Sequence, residues 1–112
     1  MKKSILFLED EVTIAEVTTE YMLMKGYDVT WVENGQIAID TLNTQNFDLI
    51  ILDIMVPEIT GLEVLAHIHQ IELHIPVIML SALGDETTQL QAFNLFADDY
   101  IIKPFSPLLL LK

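Results

Sequence analysis

Short apolar runs recur along the chain, and a charged or reactive side chain follows each of four runs. The most apolar run, residues 47–52, leads into Asp53. Other runs lead into the acidic segment Glu9, Asp10 and Glu11, into Ser81 and into Lys103. In a parallel α/β sheet the carboxyl ends of the strands share one edge, where ligands bind. The pattern therefore predicts one site with acidic oxygens for a hard cation, an Asp nucleophile, and a Ser and a Lys to hold an anion.

Segments of helical periodicity separate these runs. Strands are predicted at residues 3–8, 27–32, 47–52, 77–80 and 99–102, and helices at residues 11–25, 35–42, 62–71, 85–95 and 107–112. In the first helix the apolar residues at helical spacing are Ile14, Val17, Tyr21 and Met24, and Gly26 is the predicted stop. Asn34 is a candidate cap of the second helix, and the chain enters the third helix through a turn at Gly61. Strands that alternate with helices imply βαβ units, a parallel sheet and right-handed crossovers.

Length and charge restrict the function. With 112 residues, 52% of them hydrophobic, the chain suits one domain with a core. The net charge is −12, with five lysines and no arginine, which argues against nucleic-acid binding by this chain. No cysteine is present, so disulfides and thiolate chemistry are excluded. The first apolar run is too short for an export signal, and no segment is long enough to cross a membrane, so a cytoplasmic location is predicted.

Four motifs carry a family resemblance, namely ILFLEDE, DLIILDIMVPEITGLEVL, PVIMLSA and FADDYIIKPFSP. In order and spacing they resemble the receiver domain of two-component response regulators. The resemblance covers nearly the whole chain. It implies a flavodoxin-like (βα)5 doubly wound parallel sheet with strand order 2-1-3-4-5, here as a single receiver domain over residues 1–112 with a truncated last helix. The stretch ADDYIIKPF is most similar to receivers fused to winged-helix DNA-binding domains, which implies a transcription regulator whose C-terminal effector domain is absent from this chain.

The resemblance assigns a role to each acidic residue of the predicted site. Asp53 would accept a phosphoryl group from a sensor histidine kinase as an acyl phosphate. Asp10 and Asp53 would bind Mg²⁺ (or Mn²⁺) directly, with the Met55 backbone carbonyl as a third ligand and Glu9 acting mainly through water. The family more often has Asp at the position of Glu9. Glu11 is predicted to begin the first helix rather than to bind metal, because the helix dipole favours an acidic residue there.

The resemblance also assigns the switch and the output face. Lys103 would pair with the phosphoryl oxygens, and Ser81 would hydrogen-bond to them. Tyr100 occupies the aromatic switch position and would turn inward as Ser81 moves. Phe96 stands where the family usually has Gly, so the fourth helix is expected to end differently. A homodimer is expected through the fourth helix, the fifth strand and the fifth helix, favoured by apolar surface that the short last helix leaves uncovered.

The remaining candidates receive structural roles. The histidines are predicted to lie at the surface and not to form a metal site: His67, His69 and His74. Four methionines are predicted to pack in the core or in the wall of the site: Met22, Met24, Met55 and Met79.

Other functions fit parts of the pattern. A receiver-like scaffold that dimerises without phosphate is suggested by Phe96, but the retained acidic, Ser and Lys set argues against it. An aspartyl-phosphate phosphatase typically needs a second Asp two residues after its nucleophile, where this chain has Met55. A flavin-binding module would need a Ser/Thr/Gly-rich phosphate loop after the first strand. The chain is thus predicted to be no enzyme with a separate substrate, but a switch that assists its own phosphorylation and dephosphorylation.

Overall fold

The computed structural model describes residues 3–54, 60–71, 74–82 and 99–103. The strands are β1 (Ser4–Leu8), β2 (Asp28–Val32), β3 (Leu49–Asp53), β4 (Val77–Ala82) and β5 (Asp99–Lys103), and the helices are α1 (Val12–Met24), α2 (Gly35–Thr44) and α3 (Gly61–Gln70). Neighbouring strands pair in parallel in the order β2-β1-β3-β4-β5. The flavodoxin-like sheet predicted from the sequence is confirmed. The predicted fourth and fifth helices and Phe96 lie outside the described residues.

Both faces of the sheet are covered by helices, which explains the unbroken apolar runs of the central strands. Successive residues of β1 point to opposite faces. Leu6 and Leu8 pack into a cluster with buried residues of α2 and α3. Ile5 and Phe7 pack into a second cluster with buried residues of α1. All four side chains are fully buried, so β1 is fixed from both sides.

Local side-chain and backbone features set the helix boundaries. The predicted Asn34 cap is present, since its side-chain oxygen accepts a hydrogen bond from the Ile37 N–H at 2.9 Å. Thr60 caps α3 in the same way by accepting from the Glu63 N–H at 3.3 Å. Gly26 has φ +94°, a left-handed conformation that suits glycine, and it ends α1 as predicted.

The apolar spacing in α1 did not identify its buried face. The buried residues are Ala15, Thr18 and Met22, whereas Val17 and Met24 are 56% and 73% exposed. The small side chains of Ala15 and Thr18 let the helix approach the sheet closely, and apolar residues also occupy the outer faces. The prediction that Met24 packs in the core is therefore wrong, and that for Met22 is confirmed.

Two other sets of predictions concern methionine and histidine. Met79 is fully buried in β4 as predicted, and Met55 lies outside the described residues. His69 and His74 are exposed as predicted. His67 is half-buried with Nε2 enclosed, because it lies on α3 beside positions that face the core, so its prediction as a surface residue is wrong. Among the described helices, none combines the length and the hydropathy that a bilayer crossing requires.

Candidate functional site

The register of the parallel sheet brings the predicted acidic residues together. Leu8 of β1 pairs with Leu52 of β3. Glu9 follows Leu8, and Asp53 follows Leu52 as the last residue of β3, so the two carboxylates emerge at the same level. Asp53 pairs in turn with Leu80 of β4. The carboxyl ends of three adjacent strands therefore meet here, as expected for a parallel sheet.

Three carboxylates form the acidic cluster, defined as Glu9, Asp10 and Asp53. One oxygen from each lies within 4.8 Å of the others. Glu9 and Asp53 are buried, and Asp10 is exposed. Ligands of an octahedral Mg²⁺ are about 3 Å apart when adjacent and about 4.2 Å apart when opposite, so local side-chain adjustments would bring these oxygens to one ion. The donor set fits a hard divalent cation, which would also relieve the repulsion among the carboxylates.

Backbone hydrogen bonds from β2 hold the turn that carries Glu9 and Asp10. The Glu9 N–H donates to the Val32 carbonyl at 3.1 Å. The Glu9 carbonyl accepts from Nε1–H of Trp31 at 2.8 Å. Within the turn, the Glu11 N–H donates to Oε2 of Glu9 at 3.2 Å. Glu11 is the residue just before α1, and its carboxylate is not part of the acidic cluster.

The end of β3 is held between β4 and the start of α3. The Ile54 N–H donates to the Leu80 carbonyl, and the Gly61 N–H donates to the Ile54 carbonyl, both at 3.0 Å. Gly61 also packs against the main chain of Asp53. A Cβ at Gly61 would lie 2.8 Å from the Asp53 carbonyl carbon and closer still to its oxygen. This contact leaves room only for glycine beside the predicted nucleophile.

The remaining predicted site residues are placed by backbone register alone. Ser81 pairs with Ile102, and Ala82 pairs with Lys103. Ser81 thus comes one position after the residue that pairs with Asp53, and Lys103 ends β5 at the same edge of the sheet. Tyr100 lies within β5. The side chains of these residues lie outside the described part of the structure, so their predicted contacts remain predictions.

Sequence reasoning missed two residues of this region. Trp31 was not identified as part of the site. The only available signal was that an indole N–H in a buried or half-buried position usually has a hydrogen-bond partner. Gly61 was identified only as a turn before α3. Its close approach to Asp53 depends on how the chain returns from β3 to α3, which apolar spacing does not encode.

Comparison with known proteins gives the family. The profile of the response regulator receiver domain matches residues 5–112. The response regulator RR06 of Streptococcus pneumoniae serotype 2 (strain D39 / NCTC 7466) is 45% identical over 109 residues, which cover 97% of this chain and 50% of that protein. The alkaline phosphatase synthesis transcriptional regulatory protein PhoP of Bacillus subtilis (strain 168) is 38% identical over 107 residues, covering 96% and 45%.

Solved structures agree with the sequence relatives. The receiver domain of the Francisella response regulator 1452 superposes with a TM-score of 0.92 at 31% identity, covering 98% of this chain and 91% of that chain. The chain belongs to the response regulator receiver domain family. It spans about half the length of the curated relatives named above.

Proposed function

We propose that this domain is a phosphorylation-dependent signalling switch in which Asp53 accepts a phosphoryl group and the resulting change regulates an attached output domain. The observation that carries the proposal is the meeting of Glu9, Asp10 and Asp53 at the carboxyl edge of the sheet in a member of the receiver family. A chain that served only as a scaffold would have no need to bury two carboxylates beside a third, since burying charge costs free energy.

Asp53 would act as the nucleophile. Its position at the end of a strand whose last four residues are buried would give the carboxylate a fixed direction, which favours an in-line approach to phosphorus. A carboxylate oxygen forms a bond to the phosphorus of a phosphohistidine, the P–N bond breaks, and its electron pair stays on the leaving imidazole. Water later attacks the acyl phosphate, which releases inorganic phosphate and restores the carboxylate.

The acidic cluster would hold Mg²⁺ or Mn²⁺, and the bound ion would neutralise charge on the phosphoryl oxygens. Asp10 and Asp53 supply carboxylate oxygens, and the Met55 carbonyl is proposed as a third protein ligand. Glu9, with one oxygen already accepting the Glu11 N–H, is proposed to act mainly through water. This division would leave half of the octahedral positions for waters and phosphoryl oxygens, as Mg²⁺ prefers.

Three further residues are proposed to complete the switch. Lys103 would balance the negative charge of the phosphoryl group, and Ser81 would hydrogen-bond to it. Movement of Ser81 toward the phosphoryl group would open space for the Tyr100 ring. The proposal is supported by the register of β4 and β5, which brings the Ser81 and Lys103 backbones to the edge where Asp53 lies.

The partners follow from the family and from the names of the relatives. A sensor histidine kinase is the proposed donor, and an output domain that binds DNA is proposed because relatives of twice this length are called transcriptional regulators. We expect homodimerisation through the fourth helix, fifth strand and fifth helix, and a cytoplasmic location, on the grounds given for both in the sequence. Light scattering before and after phosphorylation tests the dimer, and a mass that stays monomeric in both states would contradict it.

Intact-protein mass spectrometry tests the central step. Wild-type protein incubated with acetyl phosphate and Mg²⁺ should gain one phosphoryl group, about 80 Da, because Asp53 forms an acyl phosphate. Asp53→Asn should gain nothing, since an amide cannot form this bond. Asp40→Asn is the matched control, because Asp40 lies exposed on α2 outside the acidic cluster and should not affect the mass gain. Phosphorylation of Asp53→Asn, or none of wild type, would contradict the proposal.

A further inference from the structure

Trp31 lies on the edge strand β2, directly beside the turn of the acidic cluster. Its ring is half-buried and packs against the cluster that contains Phe7 and Ala15. The packing holds the indole ring in one place, unlike a flexible polar side chain at the surface. Trp31 is also the only tryptophan in the chain, so its spectroscopic signals have a single source.

The indole donates a hydrogen bond into the backbone of the acidic turn. Nε1–H of Trp31 lies 2.8 Å from the Glu9 carbonyl oxygen. The next residue of β2, Val32, accepts from the Glu9 N–H at 3.1 Å. Consecutive residues of one strand therefore hold the Glu9 main chain on both sides. A donor–acceptor distance of 2.8 Å lies at the short end of the normal range for N–H···O bonds.

On the helical side of the turn, the Ala15 N–H of α1 donates to the Glu11 carbonyl at 2.9 Å. Helix α1 begins at Val12 with Glu11 as its cap residue, and in the part of the chain that the structure describes the Glu11 side chain makes no capping hydrogen bond. The Glu9 side chain instead accepts from the Glu11 N–H. The two bonds from β2 are thus among the contacts that set the orientation of the turn.

We propose that Trp31 is a positioning residue for the metal site, acting through the Glu9 carbonyl on the Asp10 carboxylate. The Glu9 carbonyl belongs to the same planar peptide group as the Asp10 N–H. Fixing this carbonyl fixes the peptide plane, and with it the position of the Asp10 Cα from which the side chain extends. Mg²⁺ requires near-ideal octahedral geometry, so metal affinity responds to this position. The inference rests on the proposed function, because it requires that Asp10 and Asp53 bind a divalent cation.

Any test must distinguish the contribution of the Trp31 N–H from that of the ring, because the ring also fills space. Replacing Trp31 by 3-benzothienylalanine exchanges the N–H for sulfur and keeps the size of the ring. Trp31→Phe removes the same donor with ordinary expression. Val29→Ala is the structural control, because Val29 lies on β2, packs against the same cluster and lacks the bond to Glu9. All proteins are compared at a temperature where each is fully folded.

Binding of Mn²⁺ is followed by electron paramagnetic resonance of the free ion, which needs no phosphorylation. Both Trp31 variants should bind Mn²⁺ about three- to ten-fold more weakly than wild type, as expected when a hydrogen bond that orders a ligand is lost. Val29→Ala should lose thermal stability and keep its affinity. Because coupling between two equilibria is reciprocal, Mg²⁺ should also slow hydrogen exchange of the single indole N–H in wild type.

The outcomes separate this inference from the proposed function. Absence of Mn²⁺ binding by wild type would overturn both the metal site and the role of Trp31. Wild-type binding with a change of less than about two-fold in the 3-benzothienylalanine protein would overturn only the role of Trp31, since the ring would then suffice. Equal weakening in Val29→Ala would overturn it as well, because the effect would reflect packing of β2 alone.

Discussion

Replacing Gly61 with alanine tests how tightly the start of α3 sets the position of Asp53. The new Cβ would lie 2.8 Å from the Asp53 carbonyl carbon and 2.9 Å from Cα of Ile54. Carbon atoms pack favourably at about 3.5–4.0 Å, so the main chain at the end of β3 or at the start of α3 must move by about 1 Å. These contacts are with backbone atoms, which cannot rotate away as a flexible side chain would.

Two opposing contributions set the loss of stability. Overpacking of this kind costs about 1–3 kcal/mol. Alanine is favoured over glycine by up to about 1 kcal/mol inside a helix, and by less at the first helical residue. We therefore expect a net loss of about 1–2 kcal/mol in the free energy of unfolding, which leaves a domain of ordinary stability folded. Displacement of a reacting group by 1 Å can lower a rate by about 10²-fold, so phosphorylation should slow by roughly 10- to 100-fold.

The assay compares the initial rate of phosphorylation by acetyl phosphate at saturating Mg²⁺ with the free energy of unfolding in urea. Gly26→Ala is the matched control. Gly26 has φ +94°, and no heavy atom of the described residues lies within 4 Å of a Cβ built there. Alanine at this position strains the backbone by about 1–2 kcal/mol without approaching Asp53. It should therefore be destabilised to a similar degree and phosphorylated at the wild-type rate.

The expected pattern is a slow Gly61→Ala protein beside a normal Gly26→Ala protein of similar stability. A wild-type rate for Gly61→Ala would refute the reasoning, because the contact with Asp53 would then have no effect on the nucleophile. Equal slowing in both variants would refute it too, since the loss would then follow stability rather than position.

Three other perturbations have defined outcomes. Asp10→Asn should bind Mn²⁺ more weakly by at least about ten-fold, because a ligand charge is lost. Its melting temperature should also rise less on addition of Mg²⁺ than that of wild type, and an equal rise would contradict a role for Asp10 in the metal site. Phe7→Ala should lower the free energy of unfolding by about 3–5 kcal/mol, because Phe7 is fully buried; urea denaturation measures this, and a loss below about 1 kcal/mol would contradict the packing described. Asn34→Ala should cost about 1 kcal/mol through loss of the α2 cap, whereas Asn34→Ser should restore most of it, and equal stabilities of these two variants would show that the cap has no effect.

The sequence predicted the sheet and the acidic cluster because both depend on simple regularities. Apolar runs that end in polar residues identify parallel strands, and parallel pairing then places the residues after each run at one edge. Glu9 and Asp53 are 44 positions apart, yet their approach follows from this rule alone. The Asn34 cap could also be predicted from the sequence, because a capping side chain bonds to a residue only three positions away.

The features that escaped prediction depend on distances between elements. In α1, Val17 and Met24 had the right spacing for a buried face, but Ala15 and Thr18 pack against the sheet because they are small. The Trp31 hydrogen bond joins residues 22 positions apart through one side-chain conformation. Neither the close approach of a helix to a sheet nor the conformation of one side chain produces a periodic pattern of apolar residues in the sequence.

The order in which the strands pair has a consequence for synthesis of the chain. Strand β1 pairs with β2 on one side and with β3 on the other. After β2 ends at Val32, the second edge of β1 has no partner until β3 begins at Leu49. At about 5–20 residues per second, a ribosome needs roughly 1–3 s to make the intervening segment. During that time the nascent chain carries an apolar strand edge that can pair with another chain, and completion of the acidic site coincides with closure of that edge.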